Sequence, residues 1–267
     1  MTLETQEWLP VDLTGKTAVV CGSTQGIGFA AAQHLAGLGA RVLLIARNAE
    51  RLHSAQASLP NPERHATVQA DFSDPTDVQR AIAEITEREP VHILVNNTGG
   101  PAGGPIVDAD IQAFRNTFEQ HLVCNHLLAQ AVLPGMKDAG YGRIINVIST
   151  SVKQPLANLG VSNTIRGAVA SWAKTWANEV GAFGITVNNV LPGATNTARL
   201  DQIISAKADK TGRSETEIRA QMASAVPLNR TGNPEEVGRA IAFLASPSAS
   251  YISGINLPVD GGRTSSL

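Results

Sequence analysis

Residues 17–28 read T-A-V-V-C-G-S-T-Q-G-I-G, and the fold turns on them. A short apolar, β-branched run ending at Cys21 gives way to Gly22, Gly26 and Gly28 and then to an alanine-rich helical pattern. That is a strand, a tight turn and a helix start. Such a turn aims unpaired backbone N–H groups and the positive end of the helix dipole at one point, where a pyrophosphate can sit. The glycines keep side chains out of its approach, and Ser23, Gln25 and Ile27 lie between them in the same turn. The spacing G-x-x-x-G-x-G differs from the dinucleotide fingerprint G-x-G-x-x-G, so an ordinary strand-to-helix turn competes and the flanks must decide.

Working outward, short β-rich runs alternate with longer helical ones. Ile27, Ala30, Ala31, Leu35 and Leu38 recur at helical spacing, and Gly39 suits the left-handed cap that ends a helix. Further strands are expected at 41–46, 66–70, 92–95, 143–148, 186–190 and 255–259. Helices are expected at 49–59, 74–89, 111–137, 163–180, in a polar segment at 200–223, and after Asn233-Pro234. Strands separated by helices at this interval form a parallel sheet with helices on both faces, an α/β class. No linker or repeat interrupts the pattern, so residues 1–267 read as one domain.

Composition narrows the function. The chain has 267 residues, 43% hydrophobic, with a net charge of −2. Acids and bases are interspersed, which gives nucleic acid no basic stripe, and no apolar run approaches the ~18 residues a membrane span needs. The first ten residues carry acids where a signal peptide needs a basic start, so they read as an unprocessed, partly ordered lead-in to a cytoplasmic protein. Cys21 and Cys124 lack C-x-x-C spacing and the histidines show no H-E-x-x-H, so buried free thiols and no metal are expected.

In such a sheet the functional positions lie at the strand carboxyl ends. After the second strand stands Arg47, where a free ribose 2′-hydroxyl would want an acid; an arginine suits a 2′-phosphate, which favours NADP over NAD. After the third, Asp71 has two readings, acceptor for an adenine amino group or helix cap. After the fourth, Asn96 and Asn97 precede Gly99 and let backbone approach a ribose. After the sixth, Pro192, Gly193, Thr195 and Thr197 supply a close-approach turn with hydroxyls for a phosphate or carboxamide.

Taken together these ends resemble the short-chain dehydrogenase/reductase family, from about residue 13 to 262. The family's T-G-x-x-x-G-x-G is matched at Gly22, Gly26 and Gly28 with Cys21 in place of Thr, and its N-N-A-G appears as Asn96-Asn97-Thr98-Gly99. The run G-R-I-I-N-V-I-S places the family's catalytic serine at Ser149; Pro192, Gly193 and Thr197 match P-G-x-x-x-T, and Val259-Asp260-Gly261-Gly262 fits the closing motif. The likeness is to 3-oxoacyl-(acyl-carrier-protein) reductases. It implies a Rossmann-type doubly wound sheet of about seven strands in the order 3-2-1-4-5-6-7, and a segment at 198–227 forming a lid over a small-molecule substrate. It also implies a homo-oligomer, tetramer or dimer, paired through the helices at 111–137 and 163–180, whose Ala168, Ala170 and Ala173 permit close approach.

The family's Y-x-x-x-K is missing. Counting from Ser149, Ser162 and Arg166 stand where tyrosine and lysine should, and His121 replaces the helical asparagine, as in a divergent subgroup carrying S-N-x-x-R. Serine is less acidic than a phenol and shorter, so Ser162 acts only through water. Arg166, one turn along the same face, polarises and binds ribose hydroxyls but does not release its proton. Two functions stay open. One is an NADP-dependent oxidoreductase in which Ser149 holds the oxygen and His121, Lys153 or a water relay supplies the proton; for His121 a purely structural hydrogen-bonding role competes. The other is a nucleotide-binding protein without redox turnover, a sensor or partner subunit. Leu156 and Leu200 are expected to face the pocket.

Overall fold

The computed structural model describes residues 10–266, so the expected lead-in at 1–9 lies outside the described residues. Seven strands, β1 (Thr17–Cys21), β2 (Arg41–Ala46), β3 (Ala66–Gln69), β4 (Ile93–Asn96), β5 (Gly142–Val147), β6 (Ile185–Pro192) and β7 (Asn256–Val259), form one sheet. Their order is β3-β2-β1-β4-β5-β6-β7, as the family resemblance implies, and every pairing is parallel, as the alternation of strands and helices predicts. The helices are α1 (Gly26–Gly37), α2 (Ala49–Ala57), α3 (Pro75–Arg88), α4 (Ile111–Phe118), α5 (Cys124–Asp138), α6 (Gly160–Val180), α7 (Ala198–Thr211), α8 (Glu215–Ser224) and α9 (Pro234–Ala245).

Strand side chains alternate between faces, so β1 contributes Val20 to one core and Val19 and Cys21 to the other. The first core packs Val20, Val42 and Leu44 against Leu35 of α1 and Val237 and Ile241 of α9. The second packs Val19, Leu43 and Leu94 against Ile82 of α3, Leu128 of α5 and Ala177 of α6. Both faces of the parallel sheet are therefore buried, which is why its strands read as continuous apolar runs. Strand order reverses between β1 and β4, and the crevice beyond their carboxyl ends is where such folds bind ligands.

Local chemistry sets the boundaries. Asp74 accepts from the Thr76 N–H and Pro75 follows it at the first position, which starts α3. Gly39, at φ +93°, stops α1 as expected. The polar segment at 200–223 is two helices rather than one: Gly212 turns left-handed at φ +67°, and a capping box between Ser214 and Glu217 starts α8. The long helix at 111–137 is likewise interrupted, by a π turn at Glu119–Val123 that carries His121. Helix α6 begins at Gly160, three residues earlier than expected, where a Cβ would lie 2.5 Å from that of Ile106. Ala170 and Ala173 of α6 are buried within the chain, which corrects their expected place on an outer pairing surface.

Four asparagines stand in register across neighbouring strands. Asn96 of β4 donates to the Asn146 Oδ1 of β5 at 2.9 Å, Asn146 to the Asn189 Oδ1 of β6 at 2.9 Å, and Asn189 to the Asn256 Oδ1 of β7 at 2.8 Å. This amide ladder ties the carboxyl halves of β4, β5 and β6 to the start of β7.

Candidate active site

The glycine turn is shaped by backbone proximity. Gly22 and Gly26 both sit at φ +57°, and a Cβ on Gly22 would lie 2.5 Å from the Asn97 carbonyl oxygen, while one on Gly28 would run into the Gly22 carbonyl. Asn97 Nδ2 donates to the carbonyls of Cys21 at 3.2 Å and Gly22 at 3.3 Å, fixing the turn from β4. Gln25 caps α1 in extended conformation without a side-chain hydrogen bond, and the first turn holds no acid. The N–H groups at this helix start thus have neither a side-chain cap nor a competing carboxylate, and the cradle fits a pyrophosphate. Ser23 is fully buried, its hydroxyl donating to the Ile45 carbonyl, so it braces the turn from within.

Arg47 is exposed after β2, its carbonyl accepting from Gln69 Nε2 at 2.8 Å. Asp71 accepts from the Ser73 N–H; the cap of α3 is Asp74, which corrects the capping alternative for Asp71. The Asn96 side chain is buried in the amide ladder, which leaves only its backbone to face the crevice. Thr197 caps α7, accepting from the Leu200 N–H and donating to the Thr195 carbonyl, and Thr195 donates to the Gly193 carbonyl. Pro192 ends β6, and a Cβ on Gly193 would lie 2.8 Å from that of Asp260. Leu200 packs with Ile204 and Ile218 in a small apolar core between α7 and α8, not into the pocket as expected.

At the end of β5, Ser149 Oγ accepts from the Ser151 N–H at 3.1 Å. Arg166 reaches from α6 to the same place. Its Nη1 donates to the Val147 carbonyl at 3.0 Å and the Ile148 carbonyl at 2.9 Å, and its Nε to Ser162 Oγ at 3.3 Å. The guanidinium therefore braces the peptides that deliver Ser149 and holds Ser162 beside them. Burial, reinforced by the nearby charge of Arg199, lowers its pKa to about 10, which leaves it cationic at neutral pH.

His121 occupies the π turn. Its Nε2 lies 3.0 Å from the Gly99 carbonyl, which only accepts, so Nε2 carries the hydrogen; Nδ1 then accepts from the Thr98 hydroxyl at 2.9 Å. Burial, and next the Arg166 charge, depress its pKa to about 3. This corrects the expectation that His121 supplies the proton: both nitrogens are engaged and the ring is neutral. It positions the loop after β4 instead. Cys21 and Cys124 are buried free thiols, their pKa raised chiefly by burial, Cys124 to about 12.

Two groups escaped the sequence reading. Thr98 is found only through its bond to His121. Arg199, in the first turn of α7, donates through Nη2 to the Pro101 carbonyl at 2.5 Å and so reaches across to the loop after β4. Its signal was a cation at a helix N-terminus, where the dipole disfavours it.

A family model described as enoyl-(acyl carrier protein) reductase matches residues 22–264. The 3-oxoacyl-(acyl-carrier-protein) reductase FabG of Vibrio cholerae is 33% identical, over 94% of this chain and 98% of the relative. The NADPH-dependent reductase BacG of Bacillus subtilis is 30% identical, over 96% of this chain and all of the relative. Among solved structures, the L-sorbose reductase of Gluconobacter frateurii, complexed with NADPH and L-sorbose, superposes with a TM-score of 0.91 at 31% identity, covering 97% of this chain and 100% of its own.

Proposed function

The chain belongs to the short-chain dehydrogenase/reductase family, and from that premise we propose that it is an NADPH-dependent oxidoreductase acting on a small carbonyl or alcohol, with a catalytic site rebuilt around Ser149, Ser162 and Arg166. The observation that carries this reading is the hydrogen-bonded continuity of the site. Arg166 joins Ser162 to the peptides beneath Ser149, while Asn97 joins the neighbouring strand end to the glycine cradle. Gly22, Gln25, Gly26, Ile27 and Gly28 hold the pyrophosphate in this reading, with the buried Ser23 bracing their turn rather than touching the cofactor, and Arg47 meets the 2′-phosphate. Asp71, Asn96, Gly99, Pro192, Gly193, Thr195 and Thr197 line the remainder of the cofactor's path. Residues 198–227 act as the lid of a single folded unit.

When bound, NADPH supplies the hydride. Ser149 positions the substrate oxygen by donating its hydroxyl hydrogen, and the Arg166 charge favours the negative charge that gathers on that oxygen. The proton reaches it through water held by Ser162 or from Lys153, since neither a neutral His121 with both nitrogens bonded nor an arginine releases one at neutral pH. NADPH oxidation followed at 340 nm across a carbonyl panel tests the reading. Turnover that falls at least tenfold in Ser149→Ala with NADPH affinity retained is the expected result. Tight NADPH binding with no turnover on any member would favour a nucleotide-binding protein without redox chemistry.

A further inference from the structure

The loop after β4 is gripped from two sides by arginines that have no acid. Arg166 is 9% exposed, and its Nη2 lies 3.4 Å from where a Cβ on Gly100 would stand. Arg199 binds the carbonyl of the next residue, Pro101. Both guanidinium groups therefore meet one dipeptide, Arg166 from the β5 side and Arg199 from the lid. Like several other arginines among the described residues, Arg166 and Arg199 have no carboxylate within 4.0 Å; what sets them apart is that both meet the same loop dipeptide. The bonds that Arg166 makes all go to uncharged oxygens, of Val147, Ile148 and Ser162.

Holding this pair together is unfavourable by itself. A buried cation without a counter-charge is costly to desolvate, and two like charges converging on one loop repel. Arg199 adds the adverse dipole of α7, whose first turn otherwise contains the favourable Asp201. An oxyanion spanning the two groups removes these penalties together. Arg166 keeps Nη2 for such an oxyanion, its Nη1 and Nε being engaged, and Arg199 keeps Nε and Nη1 beside the Nη2 that holds Pro101.

We propose that Arg166 and Arg199 form an oxyanion-binding site filled by a carboxylate of the substrate, so that the enzyme acts on oxo acids or hydroxy acids rather than on uncharged carbonyl compounds. Arg199 is the specificity-determining member, carried by the lid and brought against the loop as the lid packs. This rests on the oxidoreductase reading above, and the same oxyanion chemistry has a second source in the cofactor's own pyrophosphate. The experiment separates them and does not require turnover.

Protein saturated with NADP+ is titrated by calorimetry with levulinate and with benzoylformate, each against its methyl ester, and NADPH is titrated separately. The expected result is an acid bound at least tenfold more tightly than its ester. That preference is lost in Arg199→Ala and partly restored in Arg199→Lys, while NADPH affinity changes less than threefold. Because Arg199 is exposed, its replacement leaves the core intact. No acid-over-ester preference in the native protein, or a preference that survives Arg199→Ala, overturns the proposal. A tenfold loss of NADPH affinity in Arg199→Ala without a change in acid preference assigns the pair to the pyrophosphate and overturns it too. Failure of the oxidoreductase reading would register elsewhere, as absent NADPH oxidation despite intact acid binding.

Discussion

At the scale of single residues, His121 and Arg166 meet the same loop after β4. His121 holds Thr98 and Gly99, and Arg166 abuts Gly100 while bracing the peptides before Ser149. Two hydrogen bonds and one close approach on a single loop are what the proposed rebuilt site requires. His121 gives this a pH signature. Its folded pKa of about 3 lies below the unfolded value near 6.5, so its contribution to stability is complete above pH 6.5 and is lost as pH falls toward 3. A histidine buried neutral imposes a loss of up to about 1.4 kcal/mol per pH unit in that window. Denaturant unfolding at pH 7.5, 5.5 and 4 should show a shallower acid-side loss in His121→Gln; parallel curves for the two proteins would refute it. Arg47 carries a second prediction. Arg47→Ala should weaken NADPH by roughly 10- to 100-fold, the value of about 1.5–3 kcal/mol for a charge-assisted hydrogen bond, with NADH little changed. Calorimetry with both cofactors decides, and an equal effect on each would sink the assignment. The glycine turn was legible because backbone geometry announces it in one dimension, Arg47 stood out by its charge, and Ser149 was pointed to only by the family resemblance. Thr98 and Arg199 were not, since each acquires meaning only from a partner more than twenty residues away.

At the scale of elements, the strands and most helices were legible because a parallel sheet covered on both faces must be apolar throughout and its helices amphipathic. The π turn at Glu119–Val123 was not, because a single inserted residue leaves no mark on an apolar pattern read at a few positions per turn. The amide ladder was missed for a different reason. Asn96, Asn146, Asn189 and Asn256 look like isolated polar residues until strand order places them side by side. Asn146, donor to one neighbour and acceptor from the other, is the place to test it. Asn146→Leu leaves the Asn96 amide without its acceptor and the Asn189 carbonyl without its donor, at about 1–3 kcal/mol for each unpaired group. At roughly 2–4 °C per kcal/mol for a chain approaching this size, the melting temperature should fall by several degrees or more. An unchanged melting temperature would mean that the ladder contributes nothing.

At the scale of the whole molecule, two sets bear on assembly among the exposed apolar side chains, which also include Phe183 and Leu228. One includes Ile111 and Phe118 of α4, 63% and 43% exposed, on a helix packed against α6, which carries the half-buried pair Trp172 and Trp176. The other includes Phe243 of α9 and the fully exposed Tyr251 before β7. A closed assembly of identical chains uses self-complementary faces, and two such faces related by perpendicular two-fold axes give a tetramer. Large apolar side chains exposed in this way mark association surfaces more often than plain surface. We therefore expect a homotetramer, with the helix face supplied by α4 and the outer side of α6 rather than by the buried alanines. Phe118→Glu should break one interface and Tyr251→Glu the other. Either variant alone should give dimers by light scattering at micromolar concentration, because the remaining face still pairs chains two by two, and the two together should give monomers. A native protein that runs as a monomer, or a double variant that stays tetrameric, would show that these surfaces serve another end.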